Sequence, residues 1–231
     1  MPRKAAYERL DDLIQAAVDL FIHKGYRRTQ MADVTRAMGV SPGAIYRYVE
    51  SKEALFDLVV HASVSTDIEL ADLPLPIPTP PPGHTLAFLQ EAFQRHGRMA
   101  ALETALICPT ENDPRVELEG IVRELYATLA RYRQGIKVIE RSALDWPELA
   151  DLWFKGARHG LIDRLQRYLI LRSGQGALRA VPDTLAAARL IIETCAFFAL
   201  HRHYDPSPTL LDDAVAEEAV VDALIHAYAK R

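Results

Sequence analysis

Cysteine and long apolar runs are both scarce in this chain. Its 231 residues hold two cysteines, Cys108 and Cys195, each in an apolar stretch. Two thiols exclude a disulfide framework and a cysteine-rich zinc site, and they suit a reducing compartment. The longest unbroken apolar run, Cys195 to Leu200, is six residues. A membrane span needs ~20, so no transmembrane segment and no membrane partner are expected. The N-terminus has no apolar core like that of a signal peptide, so a cytoplasmic chain is expected. Also missing are a nucleophile elbow, a phosphate-binding loop, a paired-cysteine motif and a metal-binding histidine repeat. No enzyme, cofactor or metal is therefore expected. Two fragments imitate such motifs. Gly174-Gln-Gly176-Ala-Leu-Arg179 starts like a dinucleotide fingerprint but lacks its last glycine and the preceding strand, so it reads as an interhelix turn. His201 and His203, two apart on a helix, face different directions and make a poor metal pair.

What is present is an ordinary globular profile, 49% apolar and 25% charged. This length suits one large or two unequal domains with a full core. The net charge of −4 gives no hint of a polyanion, but its distribution does. Residues 1–52 hold nine Lys/Arg against six Asp/Glu, and the remainder holds 18 against 25. A basic end on an acidic body places any nucleic acid at the N-terminus.

The apolar period is helical nearly throughout, which predicts an all-α protein of roughly nine or ten helices, judged from usual helix lengths. Leu10, Leu13, Ile14, Ala17, Val18 and Phe21 mark one helical face. Leu118, Ile121, Val122, Leu125, Leu129 and Tyr132 mark another. Leu149, Leu152, Trp153, Gly156, Leu161, Leu165 and Tyr168 mark a third. The strongest break is Leu73–Gly83, which holds six of the 14 prolines and reads as an extended spacer. A weaker break is Pro109–Pro114.

The segment from Ala6 to Leu58 carries the most information. Lys24-Gly25 ends a first helix, and Thr29 reads as the N-cap of a short second one that stops at Gly39. Ser41 and Pro42 then open a very short third helix, Ala44–Tyr48, and Ser51-Lys52-Glu53 open a fourth that runs to about Asp67. Two short helices joined by a glycine-containing turn form a helix-turn-helix pattern. Val34, Val40 and Ile45 would pack the pair. With Ile45 inward, Ala44 and Arg47 face solvent, and Gly43 lets the helix start approach a phosphate or base. Tyr46, Tyr48 and Lys52 are phosphate-positioning types at the edge of that surface.

Leu13–Tyr26, Thr29, Ala37-Met-Gly-Val-Ser-Pro-Gly-Ala-Ile-Tyr-Arg-Tyr48 and Ser51-Lys-Glu-Ala-Leu55 together resemble the TetR/AcrR family of bacterial transcriptional regulators. The resemblance covers about a fifth of the chain. It implies a homodimer of all-α subunits, with a helix-turn-helix domain over 1–52 and a ligand-binding and dimerisation domain over 53–231. It also implies a repressor released from a palindromic double-stranded DNA operator by a small ligand. By that resemblance Thr29 lies beside a phosphate, Tyr46, Tyr48 and Lys52 touch the DNA backbone, and Ser41, Pro42, Ala44 and Arg47 lie in or near the groove. Base reading is expected to rest on Arg47, with help from Gln30 or Arg28. Thr35, Met38 and Val49 depart from the usual alanines and phenylalanine of the family. The alternatives are an activator or ligand-independent regulator of the same family, an architectural DNA binder, and an enzyme in the C-terminal body that no catalytic constellation supports.

In the C-terminal body, aromatics at helical spacing suggest a pocket for a small hydrophobic or aromatic effector with one polar group. Phe93, His96, Met99, Tyr126, Trp153 and His159 are its candidate ligand-binding residues. Segments 185–201 and 210–228 are apolar enough to lie in a core or an interface. Leu190, Thr194, Phe197, Phe198, Val221, Leu224, Ile225 and Tyr228 are the candidate dimer contacts.

Overall fold

The computed structural model describes residues 2–64, 70–108, 113–208 and 210–230, with side chains from residue 9 onward except 71. The described residues are helical and contain no strand, so the all-α reading holds. In chain order the helices are α1 (Pro2–Lys24), α2 (Met31–Ala37), α3 (Lys52–Val64), α4 (His84–His96), α5 (Ala100–Ile107), α6 (Pro114–Arg131), α7 (Arg133–Ala143), α8 (Pro147–Ala150), α9 (His159–Gly174), α10 (Thr184–Ala199) and α11 (Asp213–Tyr228). None of these is long and apolar enough to cross a membrane. Asp67, the expected end of the fourth helix, and residues 109–112 of the Pro109–Pro114 break lie outside the described residues.

The chain divides into two compact units. The first comprises residues 1–92 and 134–154. Leu10, Leu13, Ile14, Ala17, Val18 and Phe21 are all buried, as the spacing along α1 requires. Phe21 packs edge-on to Phe56 at 5.2 Å between ring centroids, and Tyr26 lies 4.7 Å from Phe56 and 5.1 Å from Trp146. Trp146 thus belongs to an aromatic cluster of this unit. Gly25 adopts φ +79°, and a Cβ there would lie 3.0 Å from the Arg141 carbonyl oxygen. Both conditions demand glycine. The proline stretch is pinned as well as extended. Ile77 N–H donates to the Tyr48 carbonyl at 2.8 Å, Glu50 N–H donates to the Ile77 carbonyl at 3.0 Å, and Thr79 N–H donates to the Glu50 carboxylate at 2.9 Å.

The second unit comprises residues 93–133 and 155–231. In it α10 packs against α6, α9 and α11, and α5 packs against α6 and α9. Leu118, Ile121, Val122 and Leu125 supply the buried face of α6. The core also encloses one cation. Arg172 has no exposed surface and grips Glu117 with two parallel bonds, Nε to Oε1 at 2.7 Å and Nη2 to Oε2 at 2.8 Å. Its Nη2 also donates to the Ala105 carbonyl at 2.7 Å, so α9 ties α5 to α6.

One sequence expectation needs correction. The spacing Leu149 to Tyr168 is not a single α-helix, because residues Asp151–Arg158 between α8 and α9 form a π-helical stretch. The apolar positions step by three or four up to Gly156 and then jump five to Leu161, which is the extra residue that a wider turn absorbs.

Candidate nucleic-acid interface

The helix-turn-helix is assembled around Val34, Ile45 and Val49, all buried, with Val40 half-buried. Packing these residues inward turns the other face out. Ser41, Pro42 and Gly43 are exposed, Tyr46 is 49% exposed and Arg47 is exposed. Gly43 is neither left-handed nor crowded, since a Cβ there would meet nothing within 4 Å. The chain's own packing therefore does not require a bare backbone at this point. Arg47 makes one long bond, from Nε to the Ala44 carbonyl at 3.5 Å, so its guanidinium keeps most of its five donors for a partner.

The third element differs from expectation. It is one 3-10 turn, Ile45–Arg47, rather than an α-helix. Its bonds span three residues, Ala44 N–H to the Ser41 carbonyl at 2.9 Å and Tyr48 N–H to the Ile45 carbonyl at 2.9 Å. Two tyrosines and two β-branched residues within Ile45–Val49 favour helix weakly, and the backbone pairing to Ile77 stops the turn from extending. Tyr48 and Ala44 are half-buried.

Thr29 and Lys52 are placed differently from the sequence reading. The N-cap of α2 is Gln30, which is exposed. Thr29 is buried and its hydroxyl donates to the Gly25 carbonyl at 2.8 Å, closing the turn after α1. Asp33 fixes the start of α2: its carboxylate accepts the Gln30 N–H at 3.0 Å and pairs with Lys24 at 3.0 Å. These contacts, the backbone bond foremost, hold the Asp33 carboxyl below the usual carboxylate range. The Lys52 ammonium donates to the carbonyls of Tyr26, Arg27 and Thr29 at 3.2, 3.4 and 3.2 Å, and lies 4.5 Å from the Tyr26 ring centroid. An ammonium has three donors, and all three are used on this loop. The Tyr26 hydroxyl donates to Glu53 at 2.9 Å, and burial followed by that bond pushes its pKa up. Arg28 is exposed but ion-paired with Asp145 at 2.9 Å. Ser51, by contrast, caps α3 as read, its Oγ accepting the Ala54 N–H at 3.1 Å.

The candidate effector residues are dispersed. Trp153 lies in the first unit, whereas Phe93, His96, Met99, Tyr126 and His159 lie in the second. Met99 and Tyr126 are buried in the core, His159 is exposed, and Phe93 and His96 are half-buried. His96 Nδ1 is 2.9 Å from the Tyr132 hydroxyl, and burial, then the charges of Arg95 and Arg131, lower its pKa.

The candidate dimer contacts separate into two groups. On α10, Leu190 is 61% exposed, Phe197 is 46% exposed, and Thr194 and Phe198 are half-buried. On α11, Val221, Leu224, Ile225 and Tyr228 turn into the unit's own core, and the outward side mixes the polar Glu218, Asp222 and His226 with the apolar Val215, Ala219 and Ala223. The second group is covered within a single chain by α6 and α10, so it presents no outward face.

Residues 13–59 match the family model of bacterial regulatory proteins of the tetR family. Over 73 residues the chain is 38% identical to the HTH-type transcriptional repressor BdcR of Escherichia coli strain K12, a stretch covering 31% of this chain and 36% of that protein. The chain spans about a third of the length of the curated relatives it matches. The structure resembles the ketosteroid transcriptional regulator KstR2 of Mycobacterium tuberculosis with a TM-score of 0.58 at 15% identity, covering 96% of each chain. It also resembles AibR, solved in complex with isovaleryl coenzyme A and operator DNA, with a TM-score of 0.53 at 15% identity, covering 94% of this chain and 98% of that one. At these identities the likeness is one of fold.

Proposed function

The chain belongs to the tetR family of bacterial regulatory proteins, and from that premise we propose that it is a ligand-responsive transcriptional repressor that binds a palindromic operator as a homodimer. One observation carries the reading. Ser41, Pro42, Gly43, Tyr46 and Arg47 are turned to solvent, with an uncrowded glycine and an uncommitted arginine, inside the segment that matches the family. Arg47 reads a base, in the manner of a bidentate arginine on guanine. Gln30, Ser41, Pro42, Gly43, Ala44 and Tyr46 lie along the groove and its phosphates, and Tyr48 and Arg28 flank them. Residues 1–52 contain this reading head, and 53–231 carry effector binding and dimerisation.

Dimerisation rests on the exposed apolar face of α10, where Leu185, Leu190 and Phe197 are each close to or more than half exposed. Two reading heads held at a fixed spacing engage half-sites one DNA turn, or a multiple, apart. Response to a small organic effector rests on the likeness in fold to AibR and to KstR2. An effector that favours the arrangement not bound to DNA by ~1–3 kcal/mol lowers operator affinity by roughly 5–150-fold. Cys195 gives no support to enzymatic chemistry: it is buried, and its pKa is pushed up to about 12 by that burial.

The test is a footprint followed by titration. One short protected palindrome is expected rather than general coating. Arg47→Ala should cost ~1–3 kcal/mol on that site and relax one base position. An equal loss on random DNA would remove Arg47 from base reading, and uniform coating would favour an architectural DNA binder.

A further inference from the structure

A second cluster of chemically active side chains lies in the first unit, away from the reading edge. Asp57 and His61 are one turn apart on α3 and share a face. His84, the first residue of α4, arrives beside them across the proline stretch. A carboxylate oxygen of Asp57 and one ring nitrogen of each histidine all lie within 4.8 Å of one another. His61 Nε2 is buried and has no hydrogen-bond partner. It is 3.7 Å from Asp57 Oδ2, too far for a hydrogen bond. A buried ring nitrogen without a partner is costly, and here it faces a carboxylate and a second imidazole.

The surroundings orient this set. The Thr85 hydroxyl donates to Asp57 Oδ1 at 2.7 Å, which leaves Oδ2 toward His61. The His61 ring stacks on Phe88 with centroids 3.6 Å apart. The rings of His61 and His84 are 6.1 Å apart, close to the roughly 5–6 Å of two imidazoles sharing one ion at bonds of ~2.0–2.1 Å. Burial also holds the His61 pKa below its ordinary value, with Asp57 opposing that shift. His84 is exposed, so nothing in the packing calls for an imidazole there.

We propose that Asp57, His61 and His84 bind one divalent first-row transition-metal ion of the zinc class. Two imidazole nitrogens and one carboxylate select such an ion over magnesium or calcium, which take oxygen ligands. Three protein ligands leave the fourth tetrahedral position to water. Tetrahedral zinc holds its ligand atoms roughly 3.3 Å apart, so the set draws in by up to about 1.5 Å on binding. His84, exposed at the first position of α4, supplies that movement. The Thr85 bond to Asp57 is the outer contact that fixes the carboxylate. A bound ion ties α3 to α4 on either side of the proline stretch. Its binding does not depend on DNA.

Calorimetric titration of the full chain tests this, with any purification tag removed and the protein first stripped by a chelator. Zinc chloride is expected to bind one ion per chain at micromolar affinity or tighter and to raise the melting temperature. Cobalt(II) chloride should give the visible bands of a low-coordinate nitrogen–oxygen site. His84→Ala should leave the metal-free melting temperature unchanged and weaken zinc binding by more than ~100-fold, beyond the ~10–100-fold that loss of an outer partner costs. Thr85→Val, which removes such a partner, should fall within that range. Asp57→Asn keeps an acceptor for Thr85 and should still lose the ion. The absence of binding to the wild-type chain, or an unchanged affinity and cobalt spectrum in His84→Ala, would overturn the assignment.

Discussion

Replacing Lys52 with methionine separates two roles for this residue. The resemblance to the family makes it a phosphate contact, whereas its ammonium spans three carbonyls of the loop Tyr26–Thr29. Buried hydrogen bonds to a charged group contribute ~1.5–3 kcal/mol each. Lys52 is only half-buried, and water can reach the carbonyls once the ammonium is gone. The loss for all three bonds together is then about 1–3 kcal/mol, with ~0.5–1 kcal/mol more from the Tyr26 ring. At ~2–4 °C per kcal/mol for a chain of this size, the melting temperature should drop by roughly 3–16 °C. Both tryptophans, Trp146 and Trp153, lie in the first unit, so intrinsic fluorescence during urea or thermal unfolding reports on the part of the chain that Lys52 holds. DNA titrations at several salt concentrations supply the second readout. If the ammonium is committed to the loop, the slope of log affinity against log salt stays near the wild-type value. A melting temperature unchanged in Lys52→Met, with the slope reduced by about one unit per bound protomer, would refute the loop assignment and restore the phosphate contact.

Two further outcomes follow from the second unit. Phe197→Arg, at a position 46% exposed, should give a folded monomer in sedimentation, whereas Leu224→Arg, at a position 6% exposed in the core, should lose the fold. An unchanged dimer with Phe197→Arg would remove α10 from the interface. Glu117→Ala leaves the Arg172 guanidinium buried and uncompensated, which should cost about 3–5 kcal/mol by circular dichroism melting. Removing both charges in Arg172→Met with Glu117→Leu should recover most of that, and a single-variant loss under ~1 kcal/mol would contradict the burial.

The reading edge was legible in the sequence because its signals are local. A glycine after α1, a serine cap before α3 and a helical apolar period each act within a few residues, and each leaves a pattern in composition. The α-helical faces of α1 and α6 follow from the same period. The π-helical stretch after Ala150 also left a mark, a five-residue step from Gly156 to Leu161, which a fixed helical template passes over.

The sequence by itself determined the all-α class, the helix-turn-helix and its outward residues Tyr46 and Arg47, because spacing alone decides which side of a short helix is apolar. Only the tertiary structure decided what covers each apolar face. Val221, Leu224, Ile225 and Tyr228 belong to the core because α6 and α10 lie over them, while Leu190 and Phe197, equally apolar, stay 61% and 46% exposed. The same holds for polar groups. Lys52 meets the loop after α1, Trp146 meets Tyr26, and His84 meets Asp57 and His61, all through contacts between segments far apart in sequence. Periodicity fixes direction around one helix axis, and only the path of the whole chain fixes which partner lies in that direction.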